Sequence, residues 1–104
     1  DDMIIFRAVN IYPGQVDHLL SGIEGIGSEY QIIVDRKEDG RDHMRIKVEA
    51  AQGVDATQFE GLENRISREV KKQIMVSVGV EMVAYGILPR SERKSKRVFD
   101  NREE

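Results

Sequence analysis

Hydrophobic positions recur along this chain with two different periods, and the changes of period lay out its elements. Ile4 to Phe6 and Val9 to Tyr12 are β-rich runs interrupted by Arg7-Ala8, a pattern that predicts a strand with a bend or a short hairpin. Pro13 suits the first turn of a helix, where a missing N–H leaves no hydrogen bond unmade. Val16, Leu19, Leu20 and Ile23 then share one helical face, and Gly22 or Gly25 is placed to end that helix. Tyr30 to Arg36 reads as a strand with an apolar centre at Ile32, Ile33 and Val34, followed by a turn at Asp39-Gly40. The clearest strand comes next. Met44, Ile46, Val48 and Ala50 alternate with His43, Arg45, Lys47 and Glu49, which predicts one buried face and one wet face carrying all four polar side chains.

Thr57 and Glu60 have the spacing of a capping box, and Phe59, Leu62, Ile66, Val70 and Ile74 form one stripe down a long helix. Its acids (Asp55, Glu60, Glu63) come early and Lys71 and Lys72 late, as the helix dipole favours. Val78, Val80 and Met82 alternate in a last strand, with Gly86 and Pro89 marking its exit. The order β-α-β-β-α-β predicts an α+β fold. Specifically, it points to a ferredoxin-like sandwich: an antiparallel sheet with two helices on one face, plus a hairpin-like N-terminal segment and a C-terminal basic loop.

At 104 residues the chain has room for one domain and one core. Its 39% hydrophobic and 34% charged residues are those of a soluble globular domain, and no apolar run is long enough to span a bilayer, so no membrane partner is expected. Cysteine is absent, which removes disulfides, thiolate ligands and cysteine nucleophiles and fits a reducing, cytoplasmic location. His18 and His43, twenty-five residues apart with no cysteine nearby, argue against a transition-metal site. The chain opens Asp1-Asp2-Met3-Ile4 with neither an initiator methionine nor a signal peptide, which reads as a segment of a longer polypeptide.

Charge sharpens the picture. The chain carries −3 overall, yet Arg90 to Arg97 holds five cations and one anion, so the other 96 residues sum to −7. A concentrated basic loop on an acidic body points to an anionic target, and phosphate is the commonest. Gly22, Gly25 and Gly27 form a GxxGxG cluster, but it follows a helix and precedes a strand, the reverse of a dinucleotide-binding turn, and so reads as a plain turn. RNA recognition on an open sheet needs stacking aromatics. The third strand offers none, and the chain has three Phe, three Tyr and no Trp, so no nucleic-acid partner is expected. A stand-alone ferredoxin-like regulatory module that binds a small ligand remains an alternative on topology alone.

The run Gly86-Ile87-Leu88-Pro89-Arg90-Ser91-Glu92-Arg93-Lys94-Ser95-Lys96-Arg97-Val98 resembles the final motif of phenylacetate-coenzyme A ligases, members of the adenylate-forming acyl-CoA synthetase superfamily. Asp1 to Ile5 with Arg7-Ala8-Val9-Asn10-Ile11-Tyr12-Pro13, and Tyr30 to Arg36, are similar to two further blocks of the same domain. The resemblance spans essentially residues 1–104 and implies a single domain, the mobile C-terminal lid of such a ligase. An N-terminal domain that holds ATP, magnesium and the acid is absent from this chain, and the fragment alone is expected to be inactive and to bind no cofactor. The implied reaction turns phenylacetate or a similar aryl acid into its acyl-CoA through an acyl-adenylate, releasing AMP and pyrophosphate.

By the same resemblance Lys94 is the catalytic lysine of adenylation, with Lys96 as the alternative. Arg90, Lys96 and Arg97 lie near phosphate, Asp1 is the hinge, and Arg7, Ala8, Val9 and Asn10 line the path of coenzyme A. Tyr12 and Pro13 anchor the first helix. Two positions depart from the family pattern: Arg93 and Ala8 stand where glycine is usual. If either backbone needs positive φ, the Cβ costs on the order of a kcal/mol.

Overall fold

A computed structural model of the protein describes residues 3–90 and 97–102. A small hairpin comes first, made of β1 (Ile4–Phe6) and β2 (Val9–Ile11), with Phe6 paired to Val9 across Arg7-Ala8. Three-residue strands are too short to hold together by their own ladder. Burial of Ile4, Phe6 and Ile11, each no more than 4% exposed, docks the hairpin on the main core; side chains of this size contribute about 1.5–3 kcal/mol apiece when buried.

Helix α1 (Pro13–Ser21) starts at the proline, with Tyr12 as N-cap, and ends at Gly22. The Tyr12 N–H donates to Gln15 Oε1 at 2.8 Å, closing the first turn. Strand β3 (Ile26–Arg36) begins four residues earlier than the hydrophobic run suggests, and its pairing with β4 (Asp42–Ala50) shifts register between Ile26 and Tyr30. The glycines before it act as a turn. Gly25 has φ +96°, and a Cβ on Gly27 would stand 2.9 Å from the Ala50 carbonyl oxygen, so only glycine lets β3 approach β4 there.

A 3₁₀ turn (Ala56–Gln58) leads into helix α2 (Phe59–Ile74). The expected Thr57–Glu60 capping box is replaced by Asp55, whose side chain accepts from the Thr57 N–H at 3.0 Å. An aspartate preceding the turn reaches that donor directly, so the cap shifts two residues upstream. Helix α2 ends at Met75 in the left-handed region (φ 71°). The stripe along α2 buries Ile66, Val70 and Ile74 in one cluster with Val16, Leu19 and Leu20 of α1 and the inner faces of β3 and β4.

The main sheet is mixed, not antiparallel, and this corrects the expected ferredoxin-like sandwich. Its order is β5-β4-β3-β6, with β5 (Gly79–Val83) parallel to β4 and β6 (Val98–Asp100) parallel to β3; only β3 and β4 are antiparallel. The long helix α2 between β4 and β5 returns the chain to the same end of the sheet, which makes that pair parallel. The first strand pairs within its own hairpin and stays outside this sheet. A strand also forms directly after the basic run, where Val98 packs on the core and Ile32 N–H donates to Arg97 O at 2.7 Å.

Candidate functional site

Two segments singled out in the sequence lie at different places on this frame. The first is the hairpin turn. Arg7 and Ala8 are its two central residues, and both have positive φ, 50° and 66°, as a type I′ turn demands of both central positions. The backbone at Ala8 is therefore one that glycine adopts without strain and alanine does not. Arg7, Ala8 and Asn10 are exposed, whereas Val9 packs against the core.

The turn is tied down from outside the hairpin. Arg7 donates to the Asp42 carbonyl through Nε (3.3 Å) and Nη2 (2.9 Å). The Asp42 carboxylate accepts from Arg36 Nε and from Arg102 Nη1, both at 2.9 Å. Arg102 also donates to the Ile5 carbonyl at 2.7 Å and grips Asp100 through Nε and Nη2 at 2.9 and 2.7 Å. Hydrogen bonds from Arg36 and Arg102 hold the Asp42 carboxyl below the usual carboxylate range, and the Arg102 bond does the same for Asp100. Both carboxylates raise Arg102 above the ordinary guanidinium value. Beside this network Arg7, Arg36, Gly40, Arg41 and Asp42 line an open concavity. Of its three guanidinium groups, Arg7 bonds the Asp42 carbonyl, Arg36 the Asp42 carboxylate, and Arg41 lies 3.8 Å from the Asp39 carboxylate.

The second segment is the stem of the basic run. After β5 the chain folds back, and Leu88 is buried at 6% exposure while Tyr85 and Ile87 stay exposed. Glu49 lies beneath it. The alternation of β4 places this glutamate on the wet face, yet it is 0% exposed, because residues of the returning segment cover that end of the strand. Its Oε2 accepts from the Leu88 N–H at 3.0 Å and from Arg90 Nη1 at 3.1 Å, and its Oε1 pairs with Arg90 Nη2. Burial pushes the Glu49 carboxyl up, but Arg90 with the Gly86 and Leu88 N–H groups outweighs it and holds the group below the usual range. Arg90 also donates to Leu88 O at 3.2 Å and lies 5.0 Å from the Tyr85 ring centroid.

On the far side of the basic run Arg97 stacks 4.6 Å over the Tyr30 ring and donates to Ser28 O at 3.3 Å. Arg90 and Arg97, both expected near phosphate, thus have their guanidinium groups engaged by the domain itself. Lys94, Lys96 and Arg93, and the hinge candidate Asp1, lie outside the described residues. His18 is exposed and His43 half-buried, and among the described residues no group of three or more His, Asp or Glu is placed to hold a metal ion. No helix among them is long and apolar enough to cross a membrane. Asp42, Glu49 and Arg102 were not apparent as site residues from the sequence. The only signal was an acid, Glu49, set between Val48 and Ala50-Ala51.

The domain is thus a mixed four-stranded sheet, two helices and a docked hairpin, with one arginine-carboxylate hub under each of the two exposed segments. Residues 8–102 match the AMP-binding enzyme C-terminal domain, and the chain belongs to that family. It is 36% identical over 118 residues to the phenylacetate-coenzyme A ligase of Thermus thermophilus, covering 98% of this chain and 26% of that protein. To the Escherichia coli phenylacetate-coenzyme A ligase it is 32% identical over 105 residues, 98% of this chain and 24% of that one. The chain thus spans about a quarter of the length of these relatives.

Among solved structures, a domain of phenylacetate-coenzyme A ligase from Bacteroides vulgatus superposes with TM-score 0.88 at 36% identity, over 99% of this chain and 95% of that one. A 2-hydroxyisobutyryl-CoA ligase, solved with 2-HIB-AMP and CoA in the thioesterification state, superposes with TM-score 0.89 at 34% identity, over 99% of this chain and 22% of that one.

Proposed function

We propose that this chain is the mobile C-terminal domain of an ATP-dependent acid-CoA ligase acting in the cytoplasm on phenylacetate or a similar aryl acid. The observation that carries the reading is the full-length match to a domain of a ligase that is solved with an acyl-adenylate and CoA. In the first half-reaction the acid's carboxylate oxygen attacks the α-phosphorus of ATP, the bond to the bridging oxygen breaks, and pyrophosphate leaves. Charge builds on the phosphoryl and bridging oxygens, and a positioned ammonium stabilises that arrangement more than the ground state. Lys94 supplies it, with Lys96 as the alternative, and Arg90, Lys96 and Arg97 shape the basic surroundings. ATP, magnesium and the acid are held by a preceding domain.

In the second half-reaction the thiol of coenzyme A attacks the acyl carbonyl and AMP departs. The domain turns about Asp1 to present the Arg7 to Asn10 turn to the incoming pantetheine. The arginine-lined concavity beside Arg7 suits the phosphates of coenzyme A, since guanidinium groups pair with phosphate in bidentate fashion. The test is made in the full-length ligase, or in a chimera carrying this domain on the Thermus thermophilus relative. Lys94→Ala should abolish ATP-dependent adenylate formation and spare thioester formation from supplied acyl-adenylate, with Lys96→Ala as the comparison. Equal loss of both steps on Lys94→Ala would refute the assignment.

A further inference from the structure

Strand β4 carries one carboxylate hub near each of its ends. Asp42 begins the strand and Glu49 lies one residue before its last. Seven residues of extended chain separate them, about 23 Å at ~3.3 Å per residue. Seven is odd, so the two side chains leave opposite faces of the sheet. Asp42 has the parity of Met44, Ile46 and Val48 on the core face, where the hairpin docks; Glu49 has that of His43, Arg45 and Lys47 on the outer face, where the segment after β5 folds back.

Each hub holds one exposed segment and nothing of the other. At Asp42 the backbone carbonyl fixes the Arg7 side chain, and the carboxylate orients Arg102, which in turn holds the Ile5 carbonyl of β1. At Glu49 the carboxylate fixes both the Leu88 N–H and the Arg90 guanidinium, immediately before the run that contains Lys94. Other arginines share the work at the first hub, where Arg36 also reaches Asp42. At the second, Arg90 donates to the buried carboxylate through both Nη1 and Nη2, and Nη1 also reaches Leu88 O.

We propose that Asp42 and Glu49 are positioning residues for different half-reactions: Glu49, through Arg90, for adenylation, and Asp42, through Arg102, for thioester formation. One strand then anchors the Arg7 turn and the Leu88 to Arg90 stem on opposite faces, so that rotation of the domain exchanges the two anchored ends without rebuilding either. This rests on the assignment of Lys94 to the first step and of Arg7 to Asn10 to the second.

The experiment measures both half-reactions in the full-length ligase, by ATP–pyrophosphate exchange and by CoA-dependent consumption of supplied acyl-adenylate, and takes the ratio of their rates. Glu49→Gln and Arg90→Ala should lower the ratio of adenylation to thioester formation by about ten- to a hundredfold, the range expected when a reacting group is misplaced by an ångström or less. Arg90→Lys should recover part of that loss, since an ammonium can still pair with Glu49. Asp42→Asn and Arg102→Lys should raise the same ratio by about tenfold. Should the buried Glu49→Gln variant fail to fold, Arg90→Ala decides, because the Arg90 side chain is 41% exposed. A ratio unmoved by Arg90→Ala and Asp42→Asn, whatever happens to the melting temperature, overturns the proposal and leaves the two acids merely structural. Lys94→Ala measured alongside separates the two levels: if it spares adenylation, the assignment of steps to segments fails; if it abolishes adenylation while Arg90→Ala leaves the ratio unchanged, only the anchors fail.

Discussion

Replacing Ala8 by glycine should make this domain more stable, although it deletes a side-chain carbon. Ala8 sits at φ 66° in the hairpin turn, and an L residue in the left-handed region costs about 1–2 kcal/mol. Glycine removes that cost but gives the unfolded chain extra freedom, which takes back about 0.4–1 kcal/mol. The methyl is exposed, so little burial is lost. The net gain is roughly 0.5–1 kcal/mol. For a domain of 104 residues, with each kcal/mol moving the melting temperature by about 4–8 °C, a rise of roughly 2–8 °C follows.

Thermal and urea unfolding monitored by circular dichroism would measure it. Met75→Gly makes a parallel case, since Met75 has φ 71° at the end of α2 and is 71% exposed. Ala84→Gly is the control, because Ala84 is exposed but has no positive φ, and it should not stabilise. An unchanged or lowered midpoint for Ala8→Gly, with Met75→Gly stabilising, would show that the hairpin turn carries no left-handed strain and would refute the reasoning.

Gly27→Ala should destabilise by about 1–3 kcal/mol, since its Cβ would meet the Ala50 and Glu49 carbonyl oxygens at 2.9 and 3.0 Å; a urea midpoint equal to that of the parent would contradict this close approach. Stability should also fall in acid. Asp42, Glu49 and Asp100 all have carboxyls held below their ordinary values in the folded state, so the unfolded chain binds more protons in that window. Their contribution is fully present above the unfolded carboxylate pKa of about 4 and is lost as pH drops through the lower folded values. Asp42→Asn should make this acid limb shallower, as read from melting temperature against pH; an identical limb would exclude Asp42 as a contributor.

Much of the local structure was legible in the chain. The 3.6-residue stripe of α2 and the alternation of Met44, Ile46, Val48 and Ala50 gave the right elements and the right buried face, because period alone decides which side chains share a face. Pro13 opened α1 as its missing N–H allows, and Gly22 closed it, though at φ −89° rather than in the left-handed region that favours glycine. The Arg7-Ala8 interruption marked the hairpin correctly, though not its left-handed backbone: neither residue favours positive φ, and it is the burial of Ile4, Phe6 and Ile11 on a common core that enforces the turn. The motif around Leu88-Pro89-Arg90 pointed to the family that residues 8–102 match.

Other features depended on where distant segments meet. Alternation reports the face of a strand but not its neighbour or direction, so the parallel pairings of β5 and β6 were hidden, and a three-residue strand directly after a basic run had too little pattern to stand out. Likewise, nothing in the run His43 to Ala50 says what covers its polar face. Glu49 became a buried acid only because residues 39 and 41 positions later in the chain fold over it and supply an N–H and a guanidinium, and Asp42 became a hub only because Arg7 and Arg102 converge on it from opposite ends of the chain. Short-range periodicity is written along the sequence, whereas the pairing of charges across such separations is decided by packing of the whole domain.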